Sequence, residues 1–387
     1  MNIFSVLNLH FRYKMKESQE KMLPHSEIKV ELLKNYLEAY LYIITKSGFF
    51  QDIYIYDLFC GEGIYENDGK GSPIVILEAI KKVYDANKQS GIIPGKFNCL
   101  FNDINEKKIE KLSKEISQRK LHYPEIGQLD FSNIDYQELL PIIAAKINSF
   151  TKQKAFIFID PYGYKDISIS DIKSLLRTNK SEVLLFLPTQ FMFRFESKGT
   201  PVCLIDFIKE LMPENKWPLS STGIVFIENL TEAFRQSLGD DYFVDSFIIT
   251  REINQFFCLF FFTSHIYGFD RMLHEKWKID EEQGRGWKYE SENSLFSHVE
   301  KKPDTIKFER NLHELLKNHE VTNGELYQFT LRNGHLPTHA NEILTKLQKE
   351  GKLSSFNKDG SQARQNAFYL SYQNYNKYRD KIKLKLK

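Results

Sequence analysis

Tyr54-Ile55-Tyr56-Asp57-Leu58-Phe59-Cys60-Gly61-Glu62-Gly63 is the stretch on which the fold turns. Ile53 to Asp57 is a short run of β-branched and aromatic residues, the composition of a buried strand. It ends on a carboxylate and breaks into a glycine turn, and Pro73 to Tyr84 then reads as a helix. In a doubly wound sheet, a turn from strand to helix lies where ligands bind, outside the carboxyl ends of the strands. Gly61 and Gly63 let the backbone approach a ligand closely, and Gly63 is placed for a dihedral closed to other residues. The stretch is neither a full GxGxxG fingerprint, since position 66 is Glu, nor a P-loop, since GK[ST] is missing.

Outward from this turn, strand and helix signals alternate. Strands are expected at Phe97–Phe101, Ile126–Leu129, Ala155–Ile159, Val183–Leu187, Gly223–Ile227 and Phe256–Phe262. Helices are expected at 26–46, with Ser26 as N-cap, and at 105–119, 135–149 and 168–178. The alternation predicts an α/β fold, a Rossmann-like doubly wound sheet, mostly parallel and covered on both faces. A carboxylate beside a glycine turn suits a ligand with a cationic amine, such as the methionyl part of S-adenosylmethionine; the alternative is an ordinary tight turn. Asp57, Phe59, Gly61, Glu62, Gly63, Ser72 and Pro73 are the candidate contacts to that part. Asp103 ends the next strand, where a carboxylate can accept both ribose hydroxyls, and Asp130 with Phe131 follows the third, where they could meet the adenine. Each acid alone reads more readily as a solvated loop residue or helix cap, and it is their recurrence at three successive strand ends that favours the cofactor.

A fourth strand ends in Asp160-Pro161-Tyr162-Gly163. This resembles the [DNS]-P-P-[YF] loop of amino-methyltransferases, in which the acid and a carbonyl accept hydrogen bonds from an NH2 group and the aromatic stacks on the base. Tyr162 stands where that loop has its second proline and Gly163 where it has the aromatic, so Asp160 stays open as an acceptor contact, a general base or a cofactor contact. Such a loop works mostly by positioning. Asp160, Pro161 and Tyr162 are the candidate catalytic residues. His265, Arg271, Lys276 and Trp277 follow the most apolar strand and are candidates for a substrate pocket; the alternative places Trp277 in the core and Lys276 on the surface.

The 387 residues carry 53 Lys and Arg against 51 Asp and Glu, with 42% apolar residues, which is globular composition. The charge is uneven. Residues 300–387 hold 17 Lys and Arg against 10 Asp and Glu, net +7, leaving the first 299 residues at net −5. This predicts two domains, 1–300 and 301–387, meeting near Lys301-Lys302-Pro303-Asp304. In the basic part, helices are expected at 322–332 and 338–350, the latter with Thr338 as N-cap and Gly351 at its end, followed by strands at Lys352–Phe356 and Ala367–Leu370. Helix, turn, helix and hairpin is the order of a winged helix. Helix 338–350 is then the candidate for entering a nucleic-acid groove, DNA or RNA, although it holds only Lys346 and Lys349 as fixed positive charges.

Cys60, Cys99, Cys203 and Cys258 lie 39 or more residues apart, so no thiolate cluster for zinc or iron–sulfur is expected, nor any other metal site. The most apolar run, Phe256–Phe262, is too short for a bilayer that needs about 20 residues, and no signal peptide is evident in the N-terminal residues. The expectation is a cytoplasmic protein with no membrane contact.

His25-Ser26-Glu27-Ile28-Lys29 with Tyr36-Leu37, the Asp57–Gly63 turn, Gly71-Ser72-Pro73, Phe158-Ile159-Asp160-Pro161-Tyr162-Gly163, and Ser264-His265, Tyr267-Gly268, Met272 and Lys276-Trp277 occur in that order. Together they resemble the three-Cys-motif partner protein family (TcmP). The resemblance covers most of residues 25–290. It implies a class I S-adenosylmethionine-dependent methyltransferase-like fold, a winged-helix tail and a partner protein that carries the three-Cys motif. It leaves the methyl acceptor open. Two rivals stand beside a nucleic-acid methyltransferase: a non-catalytic scaffold of the same fold that binds a partner, and a nuclease with Asp57, Asp103 and Asp160 as metal ligands.

Overall fold

The computed structural model describes residues 21–47, 52–92, 95–161, 167–190, 209–211, 222–252, 255–288 and 301–387. Five parallel strands form the body of one sheet: β1 (Ile53–Asp57), β2 (Phe97–Asn102), β3 (Leu129–Ser132), β4 (Lys154–Ile159) and β5 (Ser181–Leu187). A hairpin of β6 (Phe243–Glu252) and β7 (Gln255–Thr263) inserts β7 antiparallel against β5, and β8 (Gly286–Lys288) closes the far edge. The order is β3-β2-β1-β4-β5-β7-β6-β8. The order reverses between β1 and β4, which makes the carboxyl ends of those strands the switch point of the sheet. The doubly wound, parallel-dominated sheet expected from the sequence is present.

Both faces are covered, so the central strands are apolar throughout rather than alternating. Phe156 and Phe158 of β4 face α1 (Pro24–Lys46), α2 (Ser72–Gln89), α3 (Glu106–Gln118) and α7 (Ile266–Ile279). Ala155, Ile157 and Ile159 face α4 (Tyr136–Asn148), α5 (Ile169–Leu176) and α6 (Gly223–Leu238). Each fully buried phenylalanine contributes about 1.5–3 kcal/mol relative to exposure, and Phe156, Phe158, Phe260, Phe261 and Phe262 are all buried.

Four local expectations are corrected. Gly223–Ile227 is the start of α6, not a strand; Phe226, Ile227, Leu230 and Phe234 recur at helical spacing, a pattern invisible in a five-residue window. The strand β6 was not expected, because Asp245 and Ser246 interrupt its apolar run. Asp245 is tolerated there since Lys276 ion-pairs with it. The strand β3 lies three residues beyond the expected start. Ser26 is a buried residue inside α1, which begins at Pro24, whose fixed φ suits a first helical position.

The C-terminal part folds as α8 (Ile306–Asn318), β9 (Val321–Thr322), α9 (Asn323–Arg332), α10 (Pro337–Lys349), β10 (Leu353–Asn357), α11 (Tyr372–Lys377) and β11 (Ile382–Leu386). Thr322 caps α9 in a capping box with Glu325. The helix α10 starts on Pro337 rather than being capped by Thr338, and Gly351 takes a left-handed φ of 70° just past its end. The expected partner of β10 at Ala367–Leu370 is not a strand. The alternating segment Ile382-Lys383-Leu384-Lys385-Leu386 pairs there instead, between β10 and β9.

This part packs on α7. The Tyr327 hydroxyl donates to Asp270 (2.9 Å), the Trp277 indole N–H donates to the Gly334 carbonyl (2.9 Å), and Tyr267 stacks on Tyr372 at 4.1 Å. No helix among the described residues is long and apolar enough to cross a membrane.

Candidate functional site

At the carboxyl ends of β1 and β4 lies a cleft of about 510 Å3, a volume suited to a nucleoside-sized ligand. Its floor is the glycine turn. Gly61 and Gly63 take positive φ of 64° and 82°. A Cβ on Gly63 would come within 2.5 Å of Leu112, so only glycine fits both its dihedral and its packing. Nothing lies within 4 Å of the place a Gly61 Cβ would take. The Gly71 amide donates to the Gly63 carbonyl (2.7 Å), which draws the N-terminus of α2, with Ser72 in the cleft wall, against the turn.

Asp57 ends β1 beneath this floor and is wholly buried. The Ser72 hydroxyl and the Phe59 amide approach its carboxyl oxygens, but no donor meets either oxygen in full hydrogen-bond geometry. Burial pushes its carboxyl up to about 7; the Ser72 hydroxyl, the Phe59 amide and the Lys29 ammonium oppose the rise, and the Asp160 carboxylate adds to it. A buried acid so weakly met costs stability unless a ligand supplies stronger partners.

The opposite wall comes from α1, β4 and the β6–β7 hairpin. Lys29, in the second turn of α1, ion-pairs with Asp160 and lies over the Phe186 ring at 4.6 Å. Asp160 raises the Lys29 ammonium above its usual range against the opposing effect of burial. Phe186, Phe257 and His25 form a column of near-parallel rings, with centroids 5.5 and 5.1 Å apart. Burial, with Arg251 and Lys29 nearby, lowers His25 to about 4, so it is neutral at pH 7, and its Nδ1 is buried without a hydrogen-bond partner.

The cleft gathers Phe59, Gly61, Glu62, Gly63, Ser72, Asp160 and Pro161 of the sequence candidates, with Asp57 just beneath. Glu62 is paired with Lys111 (2.8 Å), and Pro73 is buried in the first turn of α2. Asp103 is 1% exposed and already holds the turn: it accepts from the Gly61 amide (3.2 Å) and the Asn105 amide (2.9 Å) and pairs with Lys108 at 3.7 Å. Asp130 is exposed on β3, and Phe131 packs on Phe101; neither lines the cleft. Tyr162 lies outside the described residues.

His265, Arg271, Lys276 and Trp277 are not brought to the cleft. Antiparallel β7 delivers its last residue, Thr263, beside Glu182 at the amino end of β5, so His265 starts α7 at the opposite end of the sheet. Lys276 is buried on Asp245 and the Ser246 carbonyl (2.7 Å), Arg271 bonds Asp270 at 3.2 Å, and Trp277 packs against His335 and His339. Conversely, His25, Lys29, Arg251 and Phe257 line the cleft without having been singled out as site residues. His25 and Lys29 were legible as an i, i+4 pair on one helix face, whereas Arg251 depends on the unforeseen β6, and Phe257, on the expected strand β7, depends on that strand's antiparallel direction. Asp57, Asp103 and Asp160 do not converge: among the described residues no three His, Cys, Asp or Glu side chains form a metal-ligating group.

A family model described as a GMT-like wHTH domain matches residues 280–360, so the chain carries a winged helix-turn-helix there. No curated protein sequence matches the chain. Among solved structures, a Legionella pneumophila protein of the DUF519 family is similar at 14% identity over 62% of this chain and 85% of its own, with a TM-score of 0.36. An O-methyltransferase from Bacillus cereus in complex with S-adenosylhomocysteine is similar at 10% identity, over 62% and 82%, with a TM-score of 0.34. The methyltransferase domain of a bacterial CtHen1 is similar at 13% identity, over 60% and 98%, with a TM-score of 0.30. At such scores the strand order of the sheet, rather than these likenesses, carries the fold.

Proposed function

We propose that the chain is an S-adenosylmethionine-dependent methyltransferase acting on nucleic acid. The observation that carries the reading is Asp57: a wholly buried carboxyl that no protein donor meets in full hydrogen-bond geometry and no ion pair neutralises, under a glycine turn that floors a cleft of about 510 Å3. The residues fit that cofactor. Asp57 would take its ammonium and the Gly61–Gly63 turn would let its chain lie against the backbone, while Asp103 would act by holding that turn through the Gly61 amide; Asp130 and Phe131, outside the cleft, are left without a part in it. When bound, it supplies a methyl group on a sulfonium, an electrophile that needs an aligned lone pair more than it needs acid or base help.

The acceptor side would be Asp160, Pro161 and Tyr162. Lys29 fixes the Asp160 carboxylate, which then accepts a hydrogen bond from the acceptor and aims it across the cleft. The stacked rings of His25, Phe257 and Phe186 would give this wall a flat face against which a planar acceptor can lie. A nucleobase taken from a duplex would have to be flipped out to reach it. The winged helix and its net charge of +7 over residues 300–387 support a nucleic-acid substrate.

The test is transfer of tritiated methyl from S-adenosylmethionine to pooled RNA and DNA. Incorporation by the wild type, reduced at least a hundredfold in Asp160→Ala, is expected. Cofactor binding without transfer to either polymer would favour the scaffold, with a three-Cys-motif protein as its partner.

A further inference from the structure

Two surfaces of the winged helix differ in charge. The exposed charges of α10 and its end cancel, Glu342 and Glu350 against Lys346 and Lys349. The strand β11 is the reverse case. Residues 381–387 contain four lysines and no acid. Ile382 and Leu384 are buried, while Lys383 and Lys385 stand exposed on the other face, as the period of a strand requires.

The pairing register then sets Phe356 of β10 directly opposite Lys383, and Ser354 opposite Lys385. On the other side, Thr322 of β9 faces Lys383. Phe356 is 40% exposed, and its strand neighbours Leu353 and Ser355 turn inward, so its ring stands on the same face as the lysines. The acids around this face are engaged singly and at the surface: Glu320 with Lys383 (3.5 Å), Asp380 with Lys358 (2.5 Å) and Glu350 with Lys352 (2.7 Å). Exposed pairs of this kind are weak and yield readily to a polyanion.

We propose that this outer sheet face, built on Phe356, Lys383 and Lys385, rather than α10, is the nucleic-acid surface of the winged helix, and that it takes a single strand. An exposed ring among lysines offers a base its π-face while the ammonium groups meet the flanking phosphates. The bases of a duplex are already stacked and leave the ring unused. The inference rests on the nucleic-acid reading above and changes which element makes the contact.

Fluorescence anisotropy of the full chain with a labelled single-stranded DNA dodecamer and with the same sequence as a duplex tests it. The wild type should prefer the single strand. Phe356→Ala should weaken single-strand binding at least tenfold and duplex binding less than twofold. Lys383→Ala with Lys385→Ala should lower the salt dependence of single-strand binding by about 1.4 in log–log slope, at about 0.7 per phosphate contact. Lys346→Ala with Lys349→Ala should change single-strand binding less than twofold. A loss confined to the α10 variant, or Phe356→Ala binding like the wild type, would overturn the proposal and leave the nucleic-acid reading standing. Failure of the wild type to bind either polymer would overturn both, and stabilisation of the same preparation by S-adenosylhomocysteine would still report separately on the cofactor site.

Discussion

Asp57 and Glu182 are both buried carboxyl groups on neighbouring parts of one sheet, at opposite ends of its strands. Glu182, at the amino end of β5, is saturated by its own chain: the Tyr36 and Thr263 hydroxyls donate to it at 2.5 and 2.8 Å. The space around it is about 70 Å3, too small for a cofactor. Asp57, at the carboxyl end of β1, is approached only by the Ser72 hydroxyl and the Phe59 amide, neither in full hydrogen-bond geometry, and has a cleft seven times larger above it. Burial raises both acids above their ordinary range. On the proposed reading, what separates a structural acid from a ligand-binding one is not burial but how fully the fold has already supplied its partners.

The sharpest way to break this contrast is to neutralise each acid. Glu182→Leu strands two buried hydroxyls and should cost about 3 kcal/mol in chemical unfolding. Asp57→Asn should do the opposite. In the folded chain Asp57 ionises near pH 7, and in the unfolded chain near 3.8. Between those values the folded state holds more protons, so wild-type stability falls as pH rises through that window and levels off above it. Removing the acid should flatten this fall and raise stability at pH 8 by about 2 kcal/mol, being about 4 kcal/mol of lost ionisation penalty less about 2 kcal/mol for burying a poorly met amide. Equal destabilisation by both substitutions would erase the distinction.

A smaller effect is expected at the other wall. Lys29→Met removes the partner of Asp160, whose side chain is 22% exposed and so partly recovered by water. The expected loss is about 1 kcal/mol, accompanied by a much larger fall in methyl transfer than in cofactor affinity. A parallel fall in both would make Lys29 a general support of the cleft rather than a holder of the acceptor side.

The layered sheet was legible because its central strands are short, apolar and bounded by acids or glycine, and the Asp57–Gly63 turn announced its own place at the switch point. The glycine half of the cleft followed from that. The other half did not, because it is assembled from the start of α1 and the β6–β7 hairpin, far apart in sequence. The strand β6 is disguised by Asp245, a residue that makes sense only once Lys276 of α7 is beside it. The substrate segment at His265–Trp277 misled for a related reason: sequence cannot tell that β7 runs antiparallel, and that direction alone carries the segment to the far end of the sheet. The strand β11 alternates plainly, yet its partner was assigned to the nearer Ala367–Leu370, although long polar loops can close a sheet at modest cost.

The most direct measurement is thermal unfolding of the wild type and Asp57→Asn at pH 8, each with and without S-adenosylhomocysteine. At 100 times its dissociation constant the ligand should add about 2.7 kcal/mol to the wild type, a rise of several degrees, and nothing to the variant. Repeating the wild-type titration below pH 7 should weaken binding as Asp57 takes up its proton and loses the charge that meets the ammonium. An unshifted wild type at millimolar ligand, or an equal shift in Asp57→Asn, would contradict a cofactor site built on Asp57.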